Sequence, residues 1–282
     1  MKKRIITNQT INSFKKYLIE NEKATATIEK YMRDIHLFVE YIIDKPLDKT
    51  LVLEYKTYLE RTYAIRSANS MLAALNAYFR FLGWHELCVK QFKVQKEAYC
   101  SEEKELNKAE YTALVKVAEQ KKNERLSLVV QTICGTGIRV SELQSITVEA
   151  VRRGEAVVSC KGKIRKIFIV KALQKKLLFY AREQGILTGE IFITKSGKPL
   201  NRSNIWREMK GLCEQAGVSA KKVFPHNLRH LLARTFYNFE KDIAKLADIL
   251  GHSNINTTRI YIVTTGAASA TYGKYATDYI KK

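Results

Sequence analysis

From Thr10 to Trp84 the apolar residues return every third or fourth position, as in Phe14, Tyr17 and Leu18, and again in Ile28, Tyr31, Ile35, Phe38, Val39 and Ile42. That spacing matches the 3.6-residue turn of an α-helix, and each apolar stripe has to be buried against a neighbour. The first third of the chain is therefore expected to fold as a small helical bundle. Its helices are expected at 8–20, 25–43, 50–61 and 67–82, with one break from Asp44 to Asp48 around Pro46.

The pattern lapses between Cys88 and Glu105. The run KQFKVQKEAYCSEEKE there has no apolar face and reads as an interdomain linker. A second core follows, with helices near 107–121 and 123–134. Residues 155–170, EAVVSCKGKIRKIFIV, then set β-branched and aromatic residues on both sides of a Lys-Gly-Lys turn, the pattern of an antiparallel hairpin. Helical spacing resumes at 171–184, at 201–216, and from 226 to the end with short interruptions. The expected fold is mainly α with a small antiparallel β-hairpin, an α+β chain. An N-terminal helical domain at 1–90, a linker at 91–105 and a larger domain at 106–282 ending in a tail helix are expected. A length of 282 residues is enough for two such cores.

Forty-nine Lys and Arg against twenty-eight Asp and Glu give a formal charge of +21, a field that favours a polyanionic partner. The opening MKKRIITNQTINSF is basic but no apolar signal-length run follows it. No stretch reaches the ~18 apolar residues of a membrane span, so a cytoplasmic protein without membrane contact is expected. Cys88, Cys100, Cys134, Cys160 and Cys213 form none of the close pairs that mark zinc or redox motifs, and read as reduced packing residues.

Cutting a phosphodiester without a metal needs a nucleophile, cationic donors for the non-bridging oxygens and an acid for the departing hydroxyl. Three clusters in the second half supply such groups. In GTGIRVSEL, residues 135–143, Arg139 follows a glycine turn and opens a short predicted helix. In HNLRH, residues 226–230, His226 and Arg229 share one helical face. The same letters have the His-x-x-x-His spacing of zinc ligands, but Asn227 stands where a metalloprotease needs Glu, and Arg229 would repel a cation. No metal is expected, and His230 reads as a packed structural residue. In LGHSNINTTRIY, residues 250–261, His252 follows a helix-ending glycine and Tyr261 comes nine residues later.

In this order and spacing the three clusters resemble the signature boxes of the tyrosine recombinases, and among these the Xer recombinases and compact bacterial integrases. The likeness is strong over the second half, and over the first half rests on size and pattern. It implies DNA strand exchange through a covalent phosphotyrosine, with neither metal nor ATP and no other cofactor. Tyr261 would be the nucleophile, Arg139 and Arg229 the phosphate-holding pair, and His226 and His252 supporting donors or proton carriers. The family's lysine sits in the hairpin turn, which makes Lys161 the general acid and Lys163 the runner-up, while Glu142 would brace Arg139. The N-terminal bundle would be a SAM-like domain closing over DNA, with Arg66, Arg80 and Lys163 as DNA contacts. The implied partners are double-stranded DNA, three further copies of the chain in a homotetramer on synapsed sites, and an accessory directionality protein.

Two other classes share parts of this pattern. One is a type IB topoisomerase, and the other a non-catalytic DNA-binding protein on the same scaffold, whose mark would be a lost catalytic residue; none is missing. Leu231 and Leu232 depart from the family pattern, which leaves the packing behind the site open. The tail also departs from it: Ala268, Tyr272, Tyr275 and Tyr279 form an apolar stripe expected to dock on a neighbouring protomer or to fold back on its own domain.

Overall fold

The computed structural model describes residues 4–43, 45–94, 104–160, 163–194 and 196–262, without the side chains of residues 160 and 163. Lys161 and the tail tyrosines Tyr272, Tyr275 and Tyr279 lie outside the described residues. The chain divides into two compact units, 1–96 and 97–282.

The first unit is the expected helical bundle, formed by α1 (Asn8–Glu20), α2 (Thr25–Tyr41), α3 (Lys49–Thr62) and α4 (Ile65–Phe81). Thr7 and Thr10 cap α1 reciprocally, and the Asp48 carboxylate accepts from Leu51 N at 2.8 Å to start α3. α4 is buried on two sides. Tyr78 packs with Phe14, Leu18 and Ile35, whereas Leu72, Leu75 and Phe79 pack with Phe38, Val52, Tyr55 and Leu59. Arg66 and Arg80 lie exposed on this helix.

The start of the charged run after α4 is not loose. Asn76 donates Nδ2 to the carbonyl of Val89 at 2.8 Å and accepts from its N–H at 2.9 Å, and Asn69 does the same to Phe92 at 2.9 and 2.7 Å. Two asparagines seven apart on one helix thus replace the neighbouring strand that this extended segment lacks. The pattern of apolar residues carries no sign of such a clasp, because both partners are polar.

The second unit opens with α5 (Lys108–Gln120) and α6 (Glu124–Thr136), followed by a 3₁₀ segment Val140–Ser145 and α7 (Val148–Arg153). The hairpin consists of β1 (Glu155–Cys160) and β2 (Lys163–Phe168), paired antiparallel from Glu155 opposite Phe168 to Cys160 opposite Lys163. Ala156, Val158 and Ile167 face the core, while Val157, Ile164 and Phe168 face solvent. Then come α8 (Lys171–Glu183), α9 (Arg202–Lys210), α10 (Cys213–Ala216), α11 (Pro225–Glu240), α12 (Ile243–Leu250) and α13 (Ile255–Ile262). The single helix expected at 201–216 is instead split at Gly211, a poor helix former, which caps α9. α6 lies at the centre, with Leu126, Val129, Val130 and Ile133 in one core shared with α5, α8 and α11. Cys88, Cys134 and Cys213 are free thiols.

The asparagine clasp generates a stability prediction. Asn76→Ala strips both partners from the Val89 backbone, and urea denaturation of the full chain is expected to show a loss of about 2–4 kcal/mol. A change below ~0.5 kcal/mol would mean that the clasp contributes nothing beyond what water supplies.

Candidate active site

Gly137 ends α6 in the left-handed region at φ +65°, and a Cβ there would lie 2.8 Å from Leu232 Cδ2 and 3.1 Å from Leu250 Cδ2. Only glycine suits both the backbone and the space. The chain then turns so that Arg139 caps the 3₁₀ segment. Glu142 Oε2 accepts from Arg139 N at 2.9 Å and Oε1 from Arg139 Nη1 at 2.7 Å. Both bonds are donated by Arg139, and the segment they close is a 3₁₀ turn where a short helix is expected from the sequence. The Glu142 side chain is 3% exposed and takes a second guanidinium, Arg165 Nη2, at 2.7 Å. Burial pushes its pKa up, but the bonds from Arg139 and the charges of Arg165 and Arg139 win, and the carboxyl sits below its ordinary range.

α11 starts with Pro225 in its first turn, so that His226, Arg229 and His230 fall along one side. Arg229 is 1% exposed. Its guanidinium donates to the carbonyls of Gly137 and Leu250, the C-terminal ends of α6 and α12, where unpaired carbonyls favour a cation. Desolvation, then Arg139, brings its pKa down to about 10, so it stays charged at neutral pH.

Arg229 Nη2 also lies 3.3 Å from His252 Nε2, and His252 Nδ1 lies 3.0 Å from Thr258 Oγ1. Since a guanidinium only donates, Nε2 accepts and Nδ1 carries the proton, donating to Thr258. Desolvation, with Arg229 and Arg139 next, lowers the His252 pKa to about 4.

Tyr261, on α13, is 5% exposed and its hydroxyl lies 2.8 Å from His226 Nε2. The His226 pKa is lowered by desolvation and by Arg229, Arg139 and Arg202, so the neutral ring accepts the phenolic proton. His230, read from sequence as structural, stacks on Tyr261 with ring centroids 4.1 Å apart and planes 23° from parallel. Burial, with neighbouring cations, takes its pKa to about 3.

Two clefts flank Arg139. One of about 680 Å³ is lined by Arg202, Trp206, Arg207, His226 and Arg229, and the other of about 700 Å³ by Glu142, Arg165, Asp248 and His252. Arg139, His226, Arg229, His252 and Tyr261 are thus brought together. Lys161 lies outside the described residues, as does the side chain of Lys163, whose backbone opens β2. Arg165 was missed by the sequence reading. The available signal was strand alternation: Arg165 occupies a core-facing position beside Ile167, where an apolar residue is the rule.

Comparison with known proteins agrees with this arrangement. The sequence model of the Phage integrase family matches residues 104–266, more than half of the chain. The chain belongs to the phage integrase family. The family's N-terminal SAM-like domain matches residues 11–86. This integrase-family chain is 28% identical over 270 residues to tyrosine recombinase XerA of Pyrococcus furiosus, covering 93% of this chain and 91% of that protein. It is 30% identical to XerA of Thermococcus kodakarensis, with 90% of each chain covered. In fold it is similar to a lambda integrase tetramer bound to a Holliday junction, with a TM-score of 0.72, 19% identity, and 90% of this chain and 76% of that one covered. No helix among the described residues of this integrase-family chain is long and apolar enough to cross a membrane.

The half-buried imidazoles of His230 and His252 predict an acid-labile fold. With folded pKa values of about 3 for His230 and about 4 for His252 against an ordinary 6.5, the unfolded chain binds more protons below pH 6.5. Stability is therefore complete above 6.5 and falls as pH drops from there towards 4 and 3, by about 2 kcal/mol at pH 5 for His230 alone. Urea denaturation at pH 7.5 and 5 reads this loss, and His230→Phe is expected to remove about half of it. An unchanged loss in that variant would place its origin elsewhere.

Proposed function

We propose that this chain is a tyrosine site-specific recombinase that cuts and rejoins double-stranded DNA through a covalent bond at Tyr261. The observation that carries the reading is a phenol whose hydroxyl lies 2.8 Å from the Nε2 of a histidine held neutral, in a site shared with Arg139 and Arg229.

The chemistry follows from those groups. Tyr261 passes its proton to His226 and attacks phosphorus, while Arg139 and Arg229 donate to the two non-bridging oxygens. The buried Nε of Arg229 has no partner among the described residues, and a phosphate oxygen would satisfy it. The bond from phosphorus to the 5′ oxygen breaks as Lys161 gives that oxygen a proton, while His252, accepting at Nε2 from Arg229, supports that guanidinium. A 3′-phosphotyrosyl bond remains. A 5′ hydroxyl of a partner duplex then attacks it, giving its proton to the now neutral Lys161, and Tyr261 leaves and recovers its own proton from His226. One phosphodiester is exchanged for another, so no ATP is consumed, and the two guanidinium groups take the charge-holding role that a metal ion would otherwise fill.

The relative seen as a tetramer on a Holliday junction supports synapsis by four copies of this chain. Residues 1–90 would bind DNA with Arg66 and Arg80, the linker at 91–105 would cross beside it, and residues 106–282 would carry the chemistry, with Lys163 a further DNA contact. A type IB topoisomerase would relax supercoils without joining two duplexes, which strand-transfer assays separate.

Nicked suicide duplexes made from the DNA flanking its gene test the reading. Tyr261→Phe is expected to bind as tightly as the parent and to form no adduct, since it loses one oxygen and no charge. An adduct from that variant would move the nucleophile to another tyrosine. A clamp neutralising about ten phosphates gives a log-log salt slope near −9, and a slope near zero would remove the clamp.

A further inference from the structure

Three consecutive carbonyls at the end of α12 each take a different arginine. Ile249 accepts from Arg165 Nη1 at 2.9 Å, Leu250 from Arg229 Nη2, and Gly251 from Arg139 Nη2 at 3.4 Å. A helix C-terminus leaves such carbonyls without intrahelical partners, and its dipole favours a cation there. Arg139 and Arg229 are the pair proposed above to hold phosphate, and Arg165 is the third. It faces the core from β2, in register with buried Val158, while its neighbours Ile164 and Lys166 are exposed. A guanidinium facing inward costs desolvation unless its donors are met. Besides Ile249, Arg165 meets Glu142, donating Nη2 to Oε2 at 2.7 Å. Its stem crosses Gly251 so closely that a Cβ there would overlap Arg165 Cδ.

Arg139 rests on the same two supports. Glu142 Oε1 accepts from its Nη1 at 2.7 Å, and the carbonyl of Gly251 takes its Nη2. Glu142 belongs to the 3₁₀ turn after α6 and Gly251 caps α12, so the two supports come from segments far apart in sequence. Arg165 spans both.

We propose that Arg165 is a positioning residue for Arg139: it ties Glu142 to the end of α12, and so holds the two acceptors of the Arg139 guanidinium at the spacing that leaves its remaining donors for a phosphate oxygen. This rests on the reading of Arg139 as a phosphate-holding cation. Charge acts in the same direction. Glu142 alone would neutralise Arg139, whereas a carboxylate shared with Arg165 leaves the three groups with a net positive charge. Lysine cannot replace the arginine in full, because one ammonium on a flexible stem lacks the fork that reaches two acceptors in different directions.

The test is single-turnover cleavage by the full chain on the suicide duplex, made once with the normal scissile phosphate and once with a methylphosphonate, in which a methyl group replaces one non-bridging oxygen. In both, the Tyr261 to phosphorus bond forms, the bond to the 5′ oxygen breaks and that oxygen leaves with a proton. The phosphonate is uncharged, so less negative charge builds up as Tyr261 attacks and a cation beside it matters less. On the phosphate, Arg139→Ala is expected to cut about 100- to 1,000-fold more slowly than the parent. Arg165→Met is expected to lose about 100-fold and Arg165→Lys about 10-fold, the scale of a small misplacement of a reacting group. On the phosphonate all three are expected within about threefold of the parent. Arg165→Met is also expected to keep the parent's salt slope for DNA binding, because its role is to hold Arg139 and not a phosphate.

Restoration of Arg139→Ala but not of the Arg165 variants would overturn the proposal, and would leave Arg165 a role in the fold alone. An Arg139→Ala variant still slow on the phosphonate would remove Arg139 as the phosphate-holding cation, and the positioning role with it. A salt slope shallower by about 1 in Arg165→Met would make Arg165 a phosphate contact itself and overturn its action through Arg139. Normal cleavage of the phosphate duplex by both Arg165 variants would likewise overturn it. Should Arg165→Met lose its cooperative urea transition, Arg165→Lys, which retains charge and one bond, decides alone.

Discussion

Three guanidinium groups in one small volume repel one another, and the second unit depends on how that repulsion is met before any phosphate arrives. Glu142, nearly sealed from solvent, divides its two oxygens between Arg139 and Arg165. Arg229 takes the carbonyl ends of α6 and α12. Removing one partner of a buried ion pair commonly costs about 3–5 kcal/mol, far above the worth of an exposed pair. The glycine that ends α6, the tight turn behind Arg139 and the inward face of the hairpin all serve to bring these acceptors to the cations.

The same charges prepare the nucleophile. Desolvation, with Arg229 and Arg139 added to it, holds the His226 and His252 rings neutral, and only a neutral ring can accept the proton of Tyr261. A phosphate bound between the arginines would oppose their field and raise the imidazole pKa values. The proton acceptor would therefore strengthen as substrate enters. His230 adds a flat, uncharged support beneath the tyrosine ring.

Much of this could be read in the chain. The 3.6-residue period located the helices of the first unit to within two residues at most ends, because each has one apolar stripe and a clear break. The hairpin was legible from its β-branched residues. The three boxes named residues that the fold gathers, since histidine, arginine and tyrosine at those spacings have few other uses. What escaped depends on tertiary partners. Arg165 looks like one more basic residue until β2 turns it inward to Glu142. Asn69 and Asn76 look like breaks in an apolar stripe until an extended segment lies across them. In each case the residue's partner lies more than ten positions away, beyond the reach of local period or spacing.

The contact behind the arginine turn also bears on how such a chain can diverge. Leu232 sits where its methyl group and that of Leu250 fill the space a side chain at position 137 would need. A larger residue at 137 is blocked by two leucines as well as by its backbone, and a smaller residue at 232 opens a void against that backbone. Neither position can drift alone without a loss. Descendants of this sequence would then inherit the pair as a unit, and a change at 232 in one lineage would first have to relax the wall formed by Leu250. Accumulated differences at these sites should thus record the order in which substitutions happened, and not only their number.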